Sequence, residues 1–131
     1  MTNNSVKSHA KVNLNLNIIG KTKKFHKLQS IISLISLHDE VTLKQIKHRS
    51  HKILFKGEFS KKISSRNTIQ KTLSILDKKK LLKKKYLVLI KKNIPSKSGM
   101  GGGSMNAATL IKILIKKKII KLDKKKLQNL C

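Results

Sequence analysis

The sequence is organised around residues 93–108, which read Asn93-Ile94-Pro95-Ser96-Lys97-Ser98-Gly99-Met100-Gly101-Gly102-Gly103-Ser104-Met105-Asn106-Ala107-Ala108. The apolar run 86–90 before this stretch predicts a buried strand, and helical spacing after it predicts a helix over residues 104–118. Glycines let the intervening backbone turn sharply and approach a ligand closely. Because the free N–H groups at a helix N-terminus favour an anion, this order of elements suits a phosphate group.

The glycine loop matches neither of two common phosphate-binding motifs. It lacks the Gly-x-x-x-x-Gly-Lys-Ser/Thr pattern of a P-loop, and residues 99–104 lack the last glycine of a dinucleotide fingerprint. A flexible linker or a plain helix-start loop is therefore the alternative interpretation. We expect Ser104 or Asn106 to cap the helix. Its predicted apolar face consists of Ala107, Ala108, Ile111, Leu114 and Ile115, with Lys118 at the end of the same stripe.

The charge of the chain is extreme, at +27 for 131 residues. Such a balance is typical of proteins that bind nucleic acid. The excess is almost wholly lysine, with only Arg49 and Arg66 as arginines, and only four residues are Phe or Tyr. Arginine forks and aromatic stacking, which nucleic-acid recognition favours, are therefore scarce. We interpret the lysines as compositional drift and keep a nucleic-acid-binding protein as the alternative.

The chain offers few signs of an oxidising compartment or a membrane. Its single cysteine, Cys131, supports neither a disulfide framework nor a metal cluster. Residues 1–5 lack the apolar segment of a secretory signal, and no run reaches the length of a membrane span. We expect one soluble, cytoplasmic domain over residues 1–131, without a metal site and without a membrane partner.

The first strand is predicted over residues 6–20, where apolar and polar residues alternate. Its buried face would consist of Val12, Leu14, Leu16 and Ile18, and its polar face of Lys11, Asn13, Asn15 and Asn17. The polar face is either simply solvated or presents Lys11 and Asn13 into a site.

The remaining elements follow from composition and period. Residues 28–37 fit a strand or a helix by period, and their isoleucine content favours a strand. We predict a turn at Asp39-Glu40 and further strands over 41–43 and 53–55. A helix between residues 64 and 82, capped by Ser65 or Asn67, would bury Ile69, Leu73 and Leu76. A short helix is predicted after residue 119, with Asp123 near its start.

Three stretches, in this order, resemble one family. They are Ser8-His9-Ala10-Lys11-Val12-Asn13-Leu14-Asn15-Leu16, Phe25-His26-Lys27-Leu28-Gln29-Ser30, and the run from Ile94-Pro95 to Ala107-Ala108. Together they are similar to the opening strand, the aromatic-His segment and the phosphate loop of the 4-diphosphocytidyl-2-C-methyl-D-erythritol kinases, within the GHMP kinase superfamily. The resemblance covers nearly the whole chain. It implies an α+β fold like domain 2 of ribosomal protein S5, here truncated, with residues 1–131 as an incomplete N-terminal ATP-binding domain.

The resemblance also implies a reaction and a set of residue roles. The reaction is ATP-dependent phosphorylation of the 2-hydroxyl of 4-diphosphocytidyl-2-C-methyl-D-erythritol in the non-mevalonate isoprenoid pathway, with Mg²⁺ accompanying ATP. Lys11 would be the catalytic lysine, Asn13 would orient the substrate, and Phe25 and His26 would hold its cytosine. The ATP-binding residues would be Asn67, Pro95, Ser96, Lys97, Ser98, Gly99, Met100, Gly101, Gly102, Gly103, Ser104 and Met105.

The chain departs from the family pattern in three places. Met105 stands where the family usually has a serine, and Lys97-Ser98 replaces small residues ahead of the glycines. The family chain is about twice as long, and its catalytic aspartate lies in a Gly-Ala-Asp-Val-Pro-like segment that this sequence lacks. We predict that the five acidic residues present form turns and caps: Asp39, Glu40, Glu58, Asp77 and Asp123.

Three functions follow from these observations. The leading hypothesis is a fragment of this kinase, weakly active or inactive alone and prone to aggregation, whose missing half is a candidate partner on a separate chain. The others are a basic nucleic-acid-binding protein and an inactive remnant of the kinase.

Overall fold

The computed structural model describes residues 4–128, which form a four-stranded mixed sheet and three helices. The strands are β1 (Val6–Lys21), β2 (His26–Ile46), β3 (Lys52–Lys56) and β4 (Lys85–Lys91), and the helices are α1 (Thr68–Lys78), α2 (Gly102–Lys116) and α3 (Lys124–Gln128). The strand order is β1-β2-β4-β3, with β3 and β4 parallel and the other neighbours antiparallel. The predicted α+β class is confirmed. Cys131 and the end of the predicted last helix lie outside the described residues.

Helix α1 connects the two parallel strands, as parallel neighbours require a crossover. Its apolar stripe is buried as predicted, because Ile69, Leu73 and Leu76 are each at most 1% exposed. Asn67 is the N-cap, and its Oδ1 accepts a hydrogen bond of 2.9 Å from the backbone N–H of Gln70. Of the two predicted caps, Ser65 and Asn67, the structure confirms Asn67.

Helix α2 begins two residues earlier than predicted. Its N-cap is Gly101, whose φ of +68° lies in the left-handed region, and no side chain caps the helix. The prediction that Ser104 or Asn106 caps this helix is wrong, because both residues lie inside it. The predicted buried face of α2 is also wrong, because a different side of the helix faces the core. Its buried residues are Asn106, Thr109, Leu110, Ile113 and Leu114.

Strand β2 runs without interruption through the predicted turn at Asp39-Glu40, so that prediction is wrong and the two expected strands are one. The reason is that Asp39 points inward and is completely buried, where its carboxylate accepts hydrogen bonds. Asp77 is not a cap either, since it pairs with Lys85 on the side of α1. Asp123 does cap α3, accepting a hydrogen bond of 2.7 Å from Lys126 N.

A β-bulge at Leu14 changes which side chains of β1 share a face. Asn13 pairs with Ile32, but Asn15 pairs with Ile31, so Leu14 is the extra residue. Directly opposed residues project to the same side, and Lys11 and Leu16 pair with Leu34 and Ser30, which share one face of β2. The bulge therefore places Leu16 and Ile18 on the face of Lys11 and Asn13. The predicted separation into one apolar and one polar face is wrong, and so is the predicted burial: Leu14, Leu16 and Ile18 are each more than half exposed.

Candidate functional site

The glycine loop lines a cavity of about 450 Å³ between the N-terminal ends of α1 and α2. The sequence-predicted residues found in its wall are Asn67, Pro95, Ser96, Lys97, Ser98, Gly99, Met100, Gly101, Gly102, Gly103 and Ser104. Met105 follows in the first turn of α2 and is half-buried. Two helix N-termini thus face one cavity, and each carries backbone N–H groups without an intrahelical partner.

Two glycines allow this wall to form. Gly101 adopts the left-handed conformation from which α2 begins, and its carbonyl accepts a hydrogen bond of 2.9 Å from Met105 N. A Cβ on Gly103 would lie 2.8 Å from Thr68 Oγ1, so a larger residue there would force the Thr68 side chain or α2 to shift. The cavity therefore depends on the glycine pattern that the sequence singled out.

Lys11 lies against the loop from the neighbouring strand. Its backbone N–H donates a hydrogen bond of 2.8 Å to the Met100 carbonyl. Its side chain packs against Gly101 of the loop. A Cβ atom built on this glycine would lie 3.5 Å from Lys11 Cε. Within residues 4–128 the ion pairs involve His51, Lys85, Lys91 and Lys92, and not Lys11. A lysine without a carboxylate partner thus lies beside the start of α2, where an anion is favoured.

The substrate-binding candidates lie along the β1–β2 hairpin, and neither they nor Lys11 are among the residues that line the cavity. Asn13 is two residues beyond Lys11 on the same face, opposite Ile32. His26 pairs with Lys21, ten residues beyond Lys11, which is roughly 30 Å at the rise of a β-strand. Phe25 is 74% exposed at the hairpin tip, where Thr22 Oγ1 accepts a hydrogen bond of 3.0 Å from its backbone N–H. A ligand that contacts both ends has to lie along the hairpin.

Sequence reasoning missed a buried ionic group beneath the loop. Asp39 is completely buried, and its carboxylate contacts the ammonium group of Lys92, whose side chain is 6% exposed. Lys92 also lines the cavity, together with Ser64 and Thr68, which were likewise missed. Nothing in the sequence distinguishes Lys92 from the many other lysines. The one available signal was its place at the end of a buried strand directly before the loop.

The carboxylates of the described residues do not form a metal centre. Within residues 4–128 there is no group of three or more His, Cys, Asp or Glu side chains placed to hold a metal ion. Asp39, the acidic residue nearest the loop, already accepts hydrogen bonds from Asn93, Ile94 and Asn106 in addition to Lys92. In the same part of the chain, no helix has the length and apolar character needed to cross a membrane.

Comparison with known proteins gives consistent results. Residues 67–131 match the family described as GHMP kinases N terminal domain. The chain is 52% identical to the 4-diphosphocytidyl-2-C-methyl-D-erythritol kinase of Pelagibacter ubique, over 98% of this chain and 47% of that relative. It is 35% identical to the kinase of the same name from Fusobacterium nucleatum, over 83% of this chain and 38% of the relative.

A solved structure shares the fold. The crystal structure of a 4-(cytidine 5'-diphospho)-2C-methyl-D-erythritol kinase matches 97% of this chain and 46% of that chain, with a TM-score of 0.75 and 23% sequence identity. The chain thus spans less than half the length of these relatives. From the family match, the sequence identity and the shared fold, this chain belongs to the GHMP kinase family and contains its N-terminal domain.

Proposed function

We propose that this chain is the ATP-binding part of a kinase that phosphorylates the 2-hydroxyl of 4-diphosphocytidyl-2-C-methyl-D-erythritol. The observation that carries the proposal is that the Lys11 side chain lies against Gly101, the N-cap residue of α2. The substrate is taken from the names of relatives at up to 52% identity. Residues 1–131 would form the N-terminal, ATP-binding domain, and a cytoplasmic location agrees with the single cysteine.

The cavity suits the phosphates of ATP. Phosphoryl transfer depends mainly on positioning and on stabilising charge. Backbone N–H groups at the start of α2 would bind phosphate oxygens, and Lys97 and Lys62 in the cavity wall add positive charge. The Lys11 ammonium would lower the pKa of the attacking hydroxyl or stabilise the charge on the transferred group. The Mg²⁺ that accompanies ATP would be held mainly by the ATP phosphates.

The reaction requires a proton acceptor for the substrate hydroxyl. The substrate hydroxyl oxygen bonds to the γ-phosphorus, the bond from that phosphorus to the bridging oxygen of ADP breaks, and the hydroxyl proton must leave. Asp39 cannot take it, because its carboxylate oxygens are already engaged. We propose that the residue that accepts the proton lies in the part of the relatives' sequences that this chain does not match. Without it we expect turnover lower by about 10²–10⁴-fold.

The hairpin would hold the rest of the substrate. Asn13 lies next to Lys11 on the same face and would orient the hydroxyl-bearing end. Phe25, presented outward at the tip, would stack on cytosine, and the neighbouring His26 would hydrogen-bond to its edge. A segment equivalent to the unmatched part of the relatives would complete this surface. It would belong either to the same chain or to a separate one.

The first experiment is calorimetric titration of the 131-residue chain with Mg·ATP, comparing Lys11→Ala with Lys7→Ala. Both variants remove one lysine charge from β1, but Lys7 lies opposite Glu40 and away from the glycine loop. We expect Lys11→Ala to weaken ATP binding about tenfold, and Lys7→Ala to leave it unchanged.

The alternative, a nucleic-acid-binding protein, makes different predictions. The charge of +27 supports it, and it predicts binding to oligonucleotides that weakens steeply with salt and responds equally to the two variants. A well-folded chain that binds neither ATP nor oligonucleotide would contradict both functions and favour an inactive remnant.

A further inference from the structure

The buried carboxylate of Asp39 connects the two ends of the glycine loop. Its Oδ1 accepts hydrogen bonds of 2.7 Å from Asn93 N and 2.9 Å from Ile94 N, where the loop leaves β4. Its Oδ2 accepts a hydrogen bond of 2.9 Å from Asn106 Nδ2, in the second turn of α2. One side chain on β2 thus fixes both the entry and the exit of the loop.

Between these two anchors the loop forms few hydrogen bonds to the rest of the described residues. The Met100 carbonyl accepts the hydrogen bond from Lys11 N, and Ser96 Oγ donates a long hydrogen bond of 3.5 Å to the Phe59 carbonyl. A change at Asp39 would therefore alter the loop more than a change at any single contact within it. Loss of an acceptor would leave backbone N–H groups without a partner in a buried place, which is costly.

The same carboxylate holds a buried cation at the cavity wall. The Lys92 ammonium contacts Asp39 Oδ2, and Nζ lies 3.3 Å from the position of a Cβ on Gly102, at the first residue of α2. A buried ammonium without its carboxylate is strongly unfavourable. If Asp39 lost its charge, the Lys92 ammonium would lose its counter-ion beside the first residue of α2, and we expect the contacts there to rearrange.

We propose that Asp39 is a positioning residue for the nucleotide phosphates, acting through Asn93, Ile94, Lys92 and Asn106 on the glycine loop. This inference rests on the proposed ATP-binding function. Asp39 does not touch the nucleotide. It sets the distance between the end of β4 and the start of α2, and so the positions of the N–H groups that bind phosphate.

A purely structural role would have a different signature. Asp77 offers a matched comparison, because it too pairs with a lysine, Lys85, at 2.8 Å, but at the opposite end of α1 from the cavity. If Asp39 only stabilises the fold, its replacement lowers the melting temperature without changing the nucleotide affinity of the folded protein. If it positions the loop, affinity falls even in protein that is fully folded.

The test is calorimetric titration of the 131-residue chain and its variants with Mg·ATP, at a temperature where circular dichroism shows each variant folded. We expect Asp39→Asn to weaken ATP binding at least about tenfold, and Asp77→Asn to leave it within about twofold of the unsubstituted chain. Unchanged affinity in Asp39→Asn, with ATP binding by the unsubstituted chain, would overturn this inference alone. Absence of ATP binding by the folded, unsubstituted chain would overturn the proposed function and this inference with it.

A second variant covers the case in which Asp39→Asn does not fold. The double variant Asp39→Asn/Lys92→Met removes both buried charges, and we expect it to regain much of the melting temperature but not the ATP affinity. If the double variant folds and binds ATP like the unsubstituted chain, the positioning role is contradicted. Because Lys92 itself lines the cavity, weak binding by the folded double variant supports the role where Lys92→Met alone binds ATP like the unsubstituted chain, and an equal loss in both overturns it.

Discussion

Two regions of the molecule use their apolar residues in opposite ways. In the body, where α1 and α2 pack on the sheet, Val88, Ile90, Leu110 and Leu114 are completely buried. In the distal hairpin, residues 13–33, eight large apolar side chains are each more than half exposed: Leu14, Leu16, Ile18, Ile19, Phe25, Leu28, Ile31 and Ile32. The two regions belong to one continuous sheet, so the difference comes from what packs on them and not from strand propensity.

The comparison indicates that the body completes its own core and that the hairpin does not. Large contiguous apolar patches are rare on monomeric soluble proteins and mark surfaces that contact something else. The relatives are more than twice as long as the part matched here. We therefore expect the body to set the free energy of unfolding and the hairpin to set the tendency to self-associate.

The largest expected difference is between a leucine of the body and one of the hairpin. Leu110→Ala removes a completely buried side chain of α2 and is expected to lower the free energy of unfolding by about 2–5 kcal/mol. Leu16→Ala removes the same atoms from a side chain that is 55% exposed, with an expected loss below about 0.5 kcal/mol. Urea unfolding followed by circular dichroism measures both. Equal losses of unfolding free energy in the two variants would mean that Leu16 is packed in solution, and would contradict the difference between body and hairpin.

A smaller difference is expected between a helix cap of the body and the turn at the hairpin tip. Asn67→Ala removes the acceptor for Gln70 N and is expected to lower the free energy of unfolding by about 1 kcal/mol. Thr22→Ala removes the acceptor for Phe25 N, but only at the exposed tip, so we expect faster amide exchange there without a change in global unfolding. Thermal unfolding and hydrogen exchange of the two variants distinguish these effects. A global loss in Thr22→Ala would contradict the independence of the hairpin.

The pH dependence of the body is expected to include a contribution from Asp77. Burial raises the pKa of its carboxyl group, but the hydrogen bond from Lys85 and the contact with His51 outweigh burial and lower it. A lowered pKa in the folded state contributes stability above the unfolded value, which is lost as pH falls through the folded value. Because Asp77 is about one-third exposed, we expect less than about 1 kcal/mol. Urea unfolding from pH 6 to pH 3 should show a shallower decline in Asp77→Asn; identical declines would exclude this contribution.

The sequence predicted those elements whose period and caps are local. The structure confirms the buried stripe of α1, formed by Ile69, Leu73 and Leu76, and its cap at Asn67. Both were predictable because the buried face and the start of a helix depend on residues that are close together in sequence. The resemblance, and not the period, assigned the glycine loop to a phosphate site. The structure adds that Lys11 lies against that loop, which no spacing along the chain could reveal.

The failures arose where long-range contacts override local patterns. Asp39-Glu40 has the composition of a turn, but Lys92, Asn93 and Asn106, each more than 50 positions away in sequence, hold the Asp39 carboxylate inside a strand. The bulge at Leu14 reverses the faces of β1, and alternation cannot indicate an extra residue in a ladder. Both features concern register and burial, which depend on the partner strand.

The smallest expected effect on unfolding, and a direct test of the hairpin, comes from its cross-strand pairs. Ile18 pairs with Leu28, and the neighbouring pair on the opposite face is Asn17 with Gln29. We expect the double variant Ile18→Thr/Leu28→Thr to change the free energy of unfolding by less than about 0.5 kcal/mol, because both side chains are exposed and threonine suits a strand. Its self-association should nevertheless fall, since it removes apolar surface.

Asn17→Thr/Gln29→Thr is the matched control, which changes a pair of the same ladder without removing apolar side chains. Light scattering against protein concentration, in salt high enough to screen the charge of +27, measures the difference. If both double variants associate like the unsubstituted chain, the apolar Ile18–Leu28 pair of the hairpin does not drive association.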